Sequence, residues 1–324
     1  MKGGKILQYA DVEDNIFSLD TDISFRIHGE NAEQAFSRVK AELFRLEKKL
    51  SRFIRDSEVS RINQFAGKAS VAISSETCEV LSAAIRLSEI SGGLFDITIT
   101  PLLDLWDYKH SFHVPEDGEI QRTLAFVNFR DLLVNSNEKS ATLRKEGQSI
   151  DLGGIGKGYA SDRCIKILQD SGISSAFINI GGNVSTLGNK PEGSPWRVGI
   201  RHPRQENSLL GAVRVTGKAV VTSGDYERYF MDLDGNRRHH ILNPFTGYPA
   251  DSGLISVSVI CDSAIVGDAL STAIFAGGIE KGMGYMAYFP GAEAILVDKL
   301  QQVYITKGIK ESFQAVEGVN AWTI

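Results

Sequence analysis

Segments with helical and with strand periodicity alternate along this chain without forming a repeated strand–helix–strand unit. Residues 31–50 repeat apolar side chains at helical spacing behind a possible cap at Asn31, whereas residues 16–27 and 255–260 mostly alternate apolar and polar, as strands do. No internal repeat or low-complexity linker divides the chain. The pattern predicts an α+β fold with mixed or antiparallel sheets and packed helices, in one large domain with a core of about residues 16–310.

Serine and glycine residues mark the expected helix ends in the first half of the chain. The segment 51–63 is predicted to be a loop. A helix is expected to begin at the serine pair 74–75 and to stop at the glycine pair 92–93, because serine caps helix starts and glycine ends helices. Residues 153–158 are expected to turn into another helix.

The last quarter of the chain predicts one more helix and a hairpin. Asp262 is the expected cap of this helix, and the glycine pair 277–278 is its expected end. Residues 294–297 and 303–305 are short apolar runs separated by polar residues, which is typical of two paired strands.

Composition excludes several classes of function. The chain has 324 residues, of which 42% are hydrophobic and 23% charged, enough to build a large core. The net charge is −5 and no block of lysine and arginine occurs, so a nucleic-acid partner is not expected. No apolar run approaches the ~18 residues that a membrane span requires.

The N-terminus and the cysteines bear on the compartment. Residues 1–7 are basic but lack the apolar stretch of a secretory signal before Asp11 and Glu13. We therefore expect a cytoplasmic protein, or a periplasmic one if the sequence has been trimmed of its signal. The cysteines are odd in number and widely spaced, which predicts buried thiols rather than disulfides or a metal site: Cys78, Cys164 and Cys261.

A histidine loop is followed by a pair of oxygen ligands. Residues 240–249 form a turn-rich segment that displays His240, and Asp268 and Thr272 lie four residues apart in a predicted helix, about 6 Å along its axis. Two such oxygens suit Mg²⁺, which commonly shares itself with substrate phosphates. The pattern predicts a Mg²⁺–phosphate site with a nearby base, although Asp268 as a solvated helix carboxylate and His240 as a structural histidine remain alternatives.

A glycine-rich segment provides a second candidate site. Residues 151–158 hold four glycines and Lys157, so the backbone could approach an anion at a helix N-terminus. The segment matches neither a Walker A motif nor GxGxxG, and a simple strand-to-helix turn is the alternative. Residues 179–183 are a weaker example of the same kind.

Two further polar groups are less specific. Asp96 lies between Phe95 and Ile97, where burial is costly unless the carboxylate is hydrogen-bonded, and a satisfied turn is the alternative to a ligand. Residues 222–226 form a hydroxyl-rich corner that could hold a ligand or only cap a turn.

Together these segments are much more specific than any one of them. Their order resembles the FAD:protein FMN transferase family, the flavin transferases formerly called thiamine-biosynthesis lipoproteins. The resemblance covers roughly residues 19–280, and its motifs are residues 57–63, 95–98, 151–160, 179–182, 222–226, 240–247 and 268–272.

The resemblance implies an activity and its site. The family transfers FMN from FAD to a Thr or Ser of an acceptor flavoprotein, releases AMP and requires Mg²⁺. Asp268 and Thr272 would hold the metal together with a backbone carbonyl from Gly154 to Gly156, and His240 would be the base that deprotonates the acceptor hydroxyl. The implied flavin contacts are Leu19, Phe53, Leu94, Phe95, Asp96, Asp151, Lys157, His240 and Ile241.

The chain departs from the family pattern at three positions. Asn243 stands where the family usually has Asp, Gly156 where it has Ala, and Leu19 where it often has Met. Two rival functions remain open at this point. Water in place of the acceptor would make the protein an FAD pyrophosphatase, and loss of chemistry would make it a non-catalytic FAD-binding protein.

Overall fold

The computed structural model describes residues 11–108, 110 and 112–324. Residues 1–7, on which the expectation of no secretory signal rests, lie outside the described part. The helices are α1 (Ala32–Leu50), α2 (Glu58–Gln64), α3 (Ser75–Ile90), α4 (Thr100–Trp106), α5 (Asp117–Leu124), α6 (Gly156–Asp170) and α7 (Ala264–Met286). Short 3₁₀ turns cover Ile97–Ile99, Phe129–Asp131 and Lys307–Ile309.

The strands fall into four sheets. They are β1 (Val12–Ser18), β2 (Thr21–His28), β3 (Val71–Ala72), β4 (Leu132–Asn135), β5 (Ser140–Leu143), β6 (Ser175–Ile180), β7 (Asn183–Leu187), β8 (Trp196–Arg201), β9 (Leu209–Val215), β10 (Ala219–Gly224), β11 (Tyr229–Met231), β12 (Arg237–His239), β13 (Leu254–Cys261), β14 (Glu293–Asp298), β15 (Val303–Ile305), β16 (Phe313–Ala315) and β17 (Ala321–Thr323). Antiparallel pairs dominate, and β15 and β17 pair in parallel.

A nine-stranded sheet in the order β1-β2-β6-β7-β10-β13-β14-β15-β17 forms the centre of the molecule. All eight residues of β13 are buried, because this strand is covered on both faces. Helices α1, α6 and α7 pack on one face, and α3 packs against α7. The three-stranded sheet β16-β9-β8 covers part of the other face, where Trp196, Val213 and Ile295 share a second apolar cluster. The α+β prediction with mixed sheets is confirmed.

A smaller apolar cluster lies beside the main core. Leu102 and Trp106 of α4, Ile120 of α5 and Phe230 of β11 pack together with Leu242. This cluster anchors the hairpin β11–β12 and the loop that follows it, because Trp106 Nε1 donates to the carbonyl of Gly247 at 2.9 Å. The loop predicted to display His240 is therefore fixed by its packing on this cluster.

Several predicted elements are confirmed. The helical stripe of residues 31–50 faces the core in α1, although the Asn31 side chain makes no capping hydrogen bond. Helix α3 begins after Ser74, whose side chain accepts a hydrogen bond from Thr77 N. Strands β14 and β15 form the predicted antiparallel pair. The three cysteines are buried and free.

Of three further local expectations, one was wrong. The segment 51–63 contains the start of α2, capped by Ser57, whose hydroxyl accepts from Ser60 N at 2.9 Å. Residues 16–27 are extended as expected, but a two-residue turn at Leu19 and Asp20 divides them between β1 and β2. The expected stop at the glycine pair 277–278 is confirmed: Gly278 has φ 82° and ψ 177°, which are not helical, so Ala264–Met286 comprises two helical segments that meet at a kink there.

None of the helices within the described ranges combines the length and apolar character that a bilayer crossing demands.

Candidate active site

The site is built where the N-terminus of α6 meets α7. Gly158 allows this contact, since a methyl group there would lie 2.2 Å from the carbonyl oxygen of Ala264. The same close approach lets Gly158 N donate to Asp268 Oδ2 at 2.9 Å. The glycine-rich segment and the helical carboxylate, distant in sequence, are thus joined directly.

Asp162 fixes the start of α7 from the neighbouring helix. Its carboxylate accepts from Ser263 Oγ at 2.8 Å, Ala264 N at 2.7 Å and Ile265 N at 3.1 Å. Burial raises the pKa of Asp162, while these hydrogen bonds act in the opposite direction. The expectation that Asp262 caps this helix was wrong: Ser263 occupies the cap position, and the capping oxygen comes from α6.

Asp268 and Thr272 provide the oxygen pair predicted for a cation. Asp268 is only 4% exposed, and its Oδ1 is 3.9 Å from Lys157 Nζ, beyond hydrogen-bond distance. Thr272 is half-buried, and a methyl group on Gly154 would lie 3.8 Å from its hydroxyl, so the glycine-rich backbone runs beside it. One buried carboxylate oxygen therefore remains open next to a hydroxyl and a backbone segment.

This donor set suits a hard cation better than a soft one. Within the described residues, no three His, Cys, Asp or Glu side chains lie close enough to hold a metal. A carboxylate, a hydroxyl and backbone carbonyls are oxygen ligands, which Mg²⁺ prefers while keeping waters or substrate phosphates as its other ligands. The residues present fit Mg²⁺ shared with a phosphate.

Lys157 and Asp151 lie at the two ends of the glycine-rich turn. Lys157 Nζ donates to the carbonyl of Gly153 at 2.8 Å. Asp151 Oδ1 accepts from Gly153 N at 2.5 Å, and its Oδ2 pairs with Arg52 Nε at 2.6 Å. Arg52 also lies over the Phe53 ring, 4.5 Å from its centroid. These contacts connect the loop bearing the exposed Phe53 to the turn.

The adjacent histidines have different surroundings. His239 is buried, and its Nε2 lies 3.1 Å from the carbonyl oxygen of Ala250. His240 Nδ1 lies 3.2 Å from the carbonyl oxygen of Arg228. A carbonyl can only accept, so Nδ1 of His240 carries the proton and Nε2 has the free lone pair. Burial, followed by the charge of Arg228, lowers the pKa of His240 to about 3.

Asp96 is committed to its own turn. Its Oδ1 accepts from Thr98 N and Thr98 Oγ1, both at 2.7 Å, and its Oδ2 accepts from Phe129 N at 2.8 Å. Burial raises the pKa of Asp96. The neighbouring Phe95 ring lies 3.3 Å from the position of a methyl group on Gly154. Phe95 thus borders the glycine-rich turn, while the carboxylate oxygens of the adjacent Asp96 are occupied by Thr98 and Phe129.

Leu19 occupies a strained hairpin turn. Leu19 and Asp20 have φ of 56° and 59°, the left-handed pair that a tight two-residue hairpin between β1 and β2 requires. Glu47 supports the turn by accepting from Leu19 N at 3.0 Å and Ser18 Oγ at 2.9 Å. Asp20 pairs with Arg228 at 3.4 Å, which links this turn to the carbonyl that holds His240.

Two departures from the family pattern have structural explanations. A methyl group on Gly156 would meet only Leu152 Cβ, at an ordinary 3.6 Å, so glycine and alanine are both accommodated. Asn243 Oδ1 accepts from Phe245 N at 2.9 Å, a turn that an aspartate oxygen would make equally well. Ile241 is buried between this turn and β12.

Sequence reasoning missed one important group, Asp162, and noted another, Ser223, without its partner. In the sequence, Asp162 is only an acidic residue in a predicted helix, because the groups to which it hydrogen-bonds are about a hundred residues away. Ser223 lies in the hydroxyl-rich corner 222–226, and only the structure shows that it contacts Thr272, with the two hydroxyl oxygens 3.1 Å apart. Asp225 of the same corner forms an ion pair with Arg204 at 2.6 Å.

Comparison with known proteins agrees with this architecture. The model of the ApbE family matches residues 19–296, so the chain belongs to the ApbE family. A protein of Klebsiella pneumoniae named FAD:protein FMN transferase is 34% identical over 264 residues, covering 81% of each chain. A protein of Treponema pallidum with the same name is 32% identical over 279 residues, covering 81% of this chain and 76% of its relative.

Solved structures of the family superpose over nearly the whole chain. The ApbE protein of Thermotoga maritima has 33% identity and a TM-score of 0.84, covering 94% of this chain and 99% of its own. The flavinyl transferase ApbE of Pseudomonas stutzeri, in its apo form, has 30% identity and a TM-score of 0.83, covering 97% and 100%. The fold is therefore that of solved flavin transferases.

Proposed function

We propose that this chain is a Mg²⁺-dependent FAD:protein FMN transferase. It attaches FMN through a phosphoester to a Thr or Ser of an acceptor flavoprotein and releases AMP. The names of its relatives support the reaction class. The observation that carries the proposal is the open oxygen of buried Asp268, beside Thr272 and Lys157 at the N-terminus of α6.

The residues of the α6–α7 junction bind the diphosphate end of FAD. Asp268, Thr272 and backbone carbonyls between Gly154 and Gly156 would hold Mg²⁺, which when bound neutralises charge on the diphosphate and on the leaving group. Lys157 adds a positive charge near the same point. The N-terminus of α6 also favours an anion, because its peptide dipoles point their positive ends there.

His240 receives the proton of the acceptor hydroxyl. Its Nδ1–H is held by the carbonyl of Arg228, so the free lone pair of Nε2 is the basic position. The acceptor oxygen bonds to the FMN-side phosphorus while the bond from that phosphorus to the bridging oxygen breaks. AMP leaves with the bridging oxygen, and the hydroxyl proton passes to Nε2.

The flavin end is assigned to the apolar groups around this junction. We assign to it Leu19, the exposed Phe53 ring, Leu94 and Phe95, together with Ile241 next to His240; in support, the Phe95 ring lies 3.3 Å from the position of a methyl group on Gly154. Asp96 contributes indirectly: its carboxylate oxygens accept hydrogen bonds from Thr98 and Phe129 and so hold the turn that follows Phe95. Asp151 contributes through the Gly153 turn and its ion pair with Arg52.

Mass spectrometry of a candidate acceptor tests the reaction. The acceptor is incubated with FAD and Mg²⁺, and we expect the added mass of FMN on one Thr or Ser, with stoichiometric AMP. The matched control is the acceptor with that residue replaced by alanine.

Other outcomes would contradict the proposal. FMN and AMP without modification of the acceptor would make the protein a pyrophosphatase, and absence of AMP would leave only binding. Titration calorimetry adds an independent readout: FAD should bind more tightly than FMN, since FAD alone offers the diphosphate and adenosine. Equal affinities would remove the leaving-group pocket.

A further inference from the structure

Three hydroxyl groups connect strand β10 to the candidate metal ligands. Ser223 Oγ lies 2.8 Å from Ser271 Oγ and 3.1 Å from Thr272 Oγ1. Ser271 is fully buried and its hydroxyl donates to the carbonyl oxygen of Asp268 at 3.0 Å. Thr272 Oγ1 is 3.3 Å from that same carbonyl oxygen. All three hydroxyls therefore meet within one turn of α7.

The position of Ser223 follows from the strand pairing. In β10, Val221 packs against Gly267, where a methyl group would lie 3.0 Å from a Val221 methyl carbon. Because strand side chains alternate, Ser223 shares this face and also points toward α7. Thr222 faces the other way and pairs with Ser258 at 2.7 Å.

The carbonyl oxygen of Asp268 fixes the direction of these hydrogen bonds. A carbonyl only accepts, so Ser271 directs its single proton to it, and Ser271 Oγ is then free to accept from Ser223. Ser223 Oγ can in turn accept the proton of Thr272. Thr272 Oγ1 lies 3.1 Å from Ser223 Oγ and 3.3 Å from the Asp268 carbonyl oxygen, so Ser223 is the nearer acceptor. With Thr272 donating to Ser223, each of the three hydroxyls donates once and accepts at most once.

We propose that Ser223 is a positioning residue that accepts the Thr272 proton and so turns the lone pairs of Thr272 Oγ1 toward the cation. The relay runs from Thr272 to Ser223 to Ser271 to the Asp268 carbonyl. Without Ser223, the Thr272 proton turns to the Asp268 carbonyl oxygen 3.3 Å away, and the hydroxyl must reorient each time a cation binds. The inference rests on the metal site of the proposed function.

Groups outside the ligand shell commonly change metal affinity about 10- to 100-fold when they are removed. Ser223→Ala should therefore weaken binding of Mg²⁺ alone by about tenfold, measured by titration calorimetry without FAD. Ser271→Ala should weaken it in the same direction. The double variant should lose no more than the larger single loss, because both substitutions break one relay.

The matched control is Thr222→Val, which removes a neighbouring β10 hydroxyl and its 2.7 Å bond to Ser258 on the opposite face. It should bind Mg²⁺ as the unmodified chain does. Thermal melting without metal reports any general loss of stability. Ser223→Ala should melt no earlier than Thr222→Val.

Asp268→Asn separates failure of this inference from failure of the proposed function. If Asp268→Asn binds Mg²⁺ normally, the metal site itself is misplaced. If Asp268→Asn loses Mg²⁺ but Ser223→Ala binds it as tightly as Thr222→Val, the relay is overturned while the metal site stands. Weaker Mg²⁺ binding by Ser223→Ala would also overturn the relay if this variant melted clearly earlier than Thr222→Val, because general destabilisation would then explain the lower affinity.

Discussion

Asp96 and Asp268 are two buried aspartates of the candidate site, and their carboxylate oxygens are used differently. Both oxygens of Asp96 accept hydrogen bonds from Thr98 and Phe129. Asp268 accepts from Gly158 N through Oδ2, whereas its Oδ1 has, among the residues that the structure describes, only Lys157 at 3.9 Å. Counting acceptors therefore distinguishes a carboxylate that holds a turn together from one with an oxygen left for a ligand.

The same Asp→Asn substitution should affect different properties at the two positions, and the larger effect should be the loss of catalysis at Asp268. Asp268→Asn keeps an oxygen for Gly158 N but removes the charge. A metal ion supplies several kcal/mol of transition-state stabilisation, and each 1.4 kcal/mol is tenfold in rate, so we expect a loss of about 10³-fold or more. Mg²⁺-dependent AMP release measures this, with melting temperature as the control. Turnover near the wild-type rate would remove the metal assignment.

His240→Ala tests the proton acceptor. A general base contributes about 10²- to 10⁴-fold, and the lowered pKa of His240 favours the lower end. We expect slower covalent flavin incorporation at saturating FAD with little change in the FAD dissociation constant. A rate within about threefold of wild type, far below that contribution, would falsify the assignment. Lost affinity with preserved turnover would instead place His240 beneath the flavin.

The pH profile sharpens the role of His240. Only neutral imidazole accepts a proton, and with a pKa of about 3 the free protein keeps His240 neutral at all ordinary pH values. Thus kcat/KM should show no acid limb from His240 above about pH 5. A bound diphosphate favours imidazolium and raises the pKa, so the acid limb of kcat should appear at higher pH. Identical limbs in both profiles would contradict this electrostatic account.

Asp96→Asn should act on stability rather than on metal binding. An amide has one acceptor oxygen, so either Phe129 N or the Thr98 donors lose their partner, at a cost of about 1–3 kcal/mol. Chemical denaturation measures the loss, and Mg²⁺ affinity from calorimetry should be unchanged. If Asp96→Asn lowered Mg²⁺ affinity as Asp268→Asn does, the distinction between the two carboxylates would collapse.

Asn243→Asp is expected to have the smallest effect. The oxygen that accepts from Phe245 N is retained, and the restored charge lies in an exposed turn. Stability should change by less than about 0.5 kcal/mol. Activity should stay close to that of the unmodified chain in the flavin-incorporation assay. A large gain in activity would show that Asn243 limits this chain and that its role is more than a turn.

Local patterns predicted the elements that depend on nearby residues. The stripe of α1, the Ser74 start of α3 and the β14–β15 pair follow from periodicity and capping within a few residues. The short helix α2 was missed because its Ser57 cap lies in a polar segment without a clear apolar period. The glycine pair 277–278 likewise marked the interruption of α7, where Gly278 leaves the helical dihedrals.

For the site, the sequence identified the candidate groups but not how each is used. The i, i+4 spacing of Asp268 and Thr272 identified the oxygen pair, since that relation is local. Three properties depend on partners 12 to 49 residues away: the hydrogen bonds that occupy Asp96, the tautomer of His240, and the contact between Ser223 and Thr272. No single-sequence pattern encodes such contacts.

The pairing of β2 with β6 also bears on how this chain folds. His28 and Ser175 are register partners, and all helices from α1 to α6 lie in the chain between them. Joining these strands closes one very long loop, whose entropic cost rises only slowly with length. Contacts of such large sequence separation slow folding, so refolding of the central sheet should be slow compared with formation of the helices. Surface insertions within the loop would leave the strand register intact.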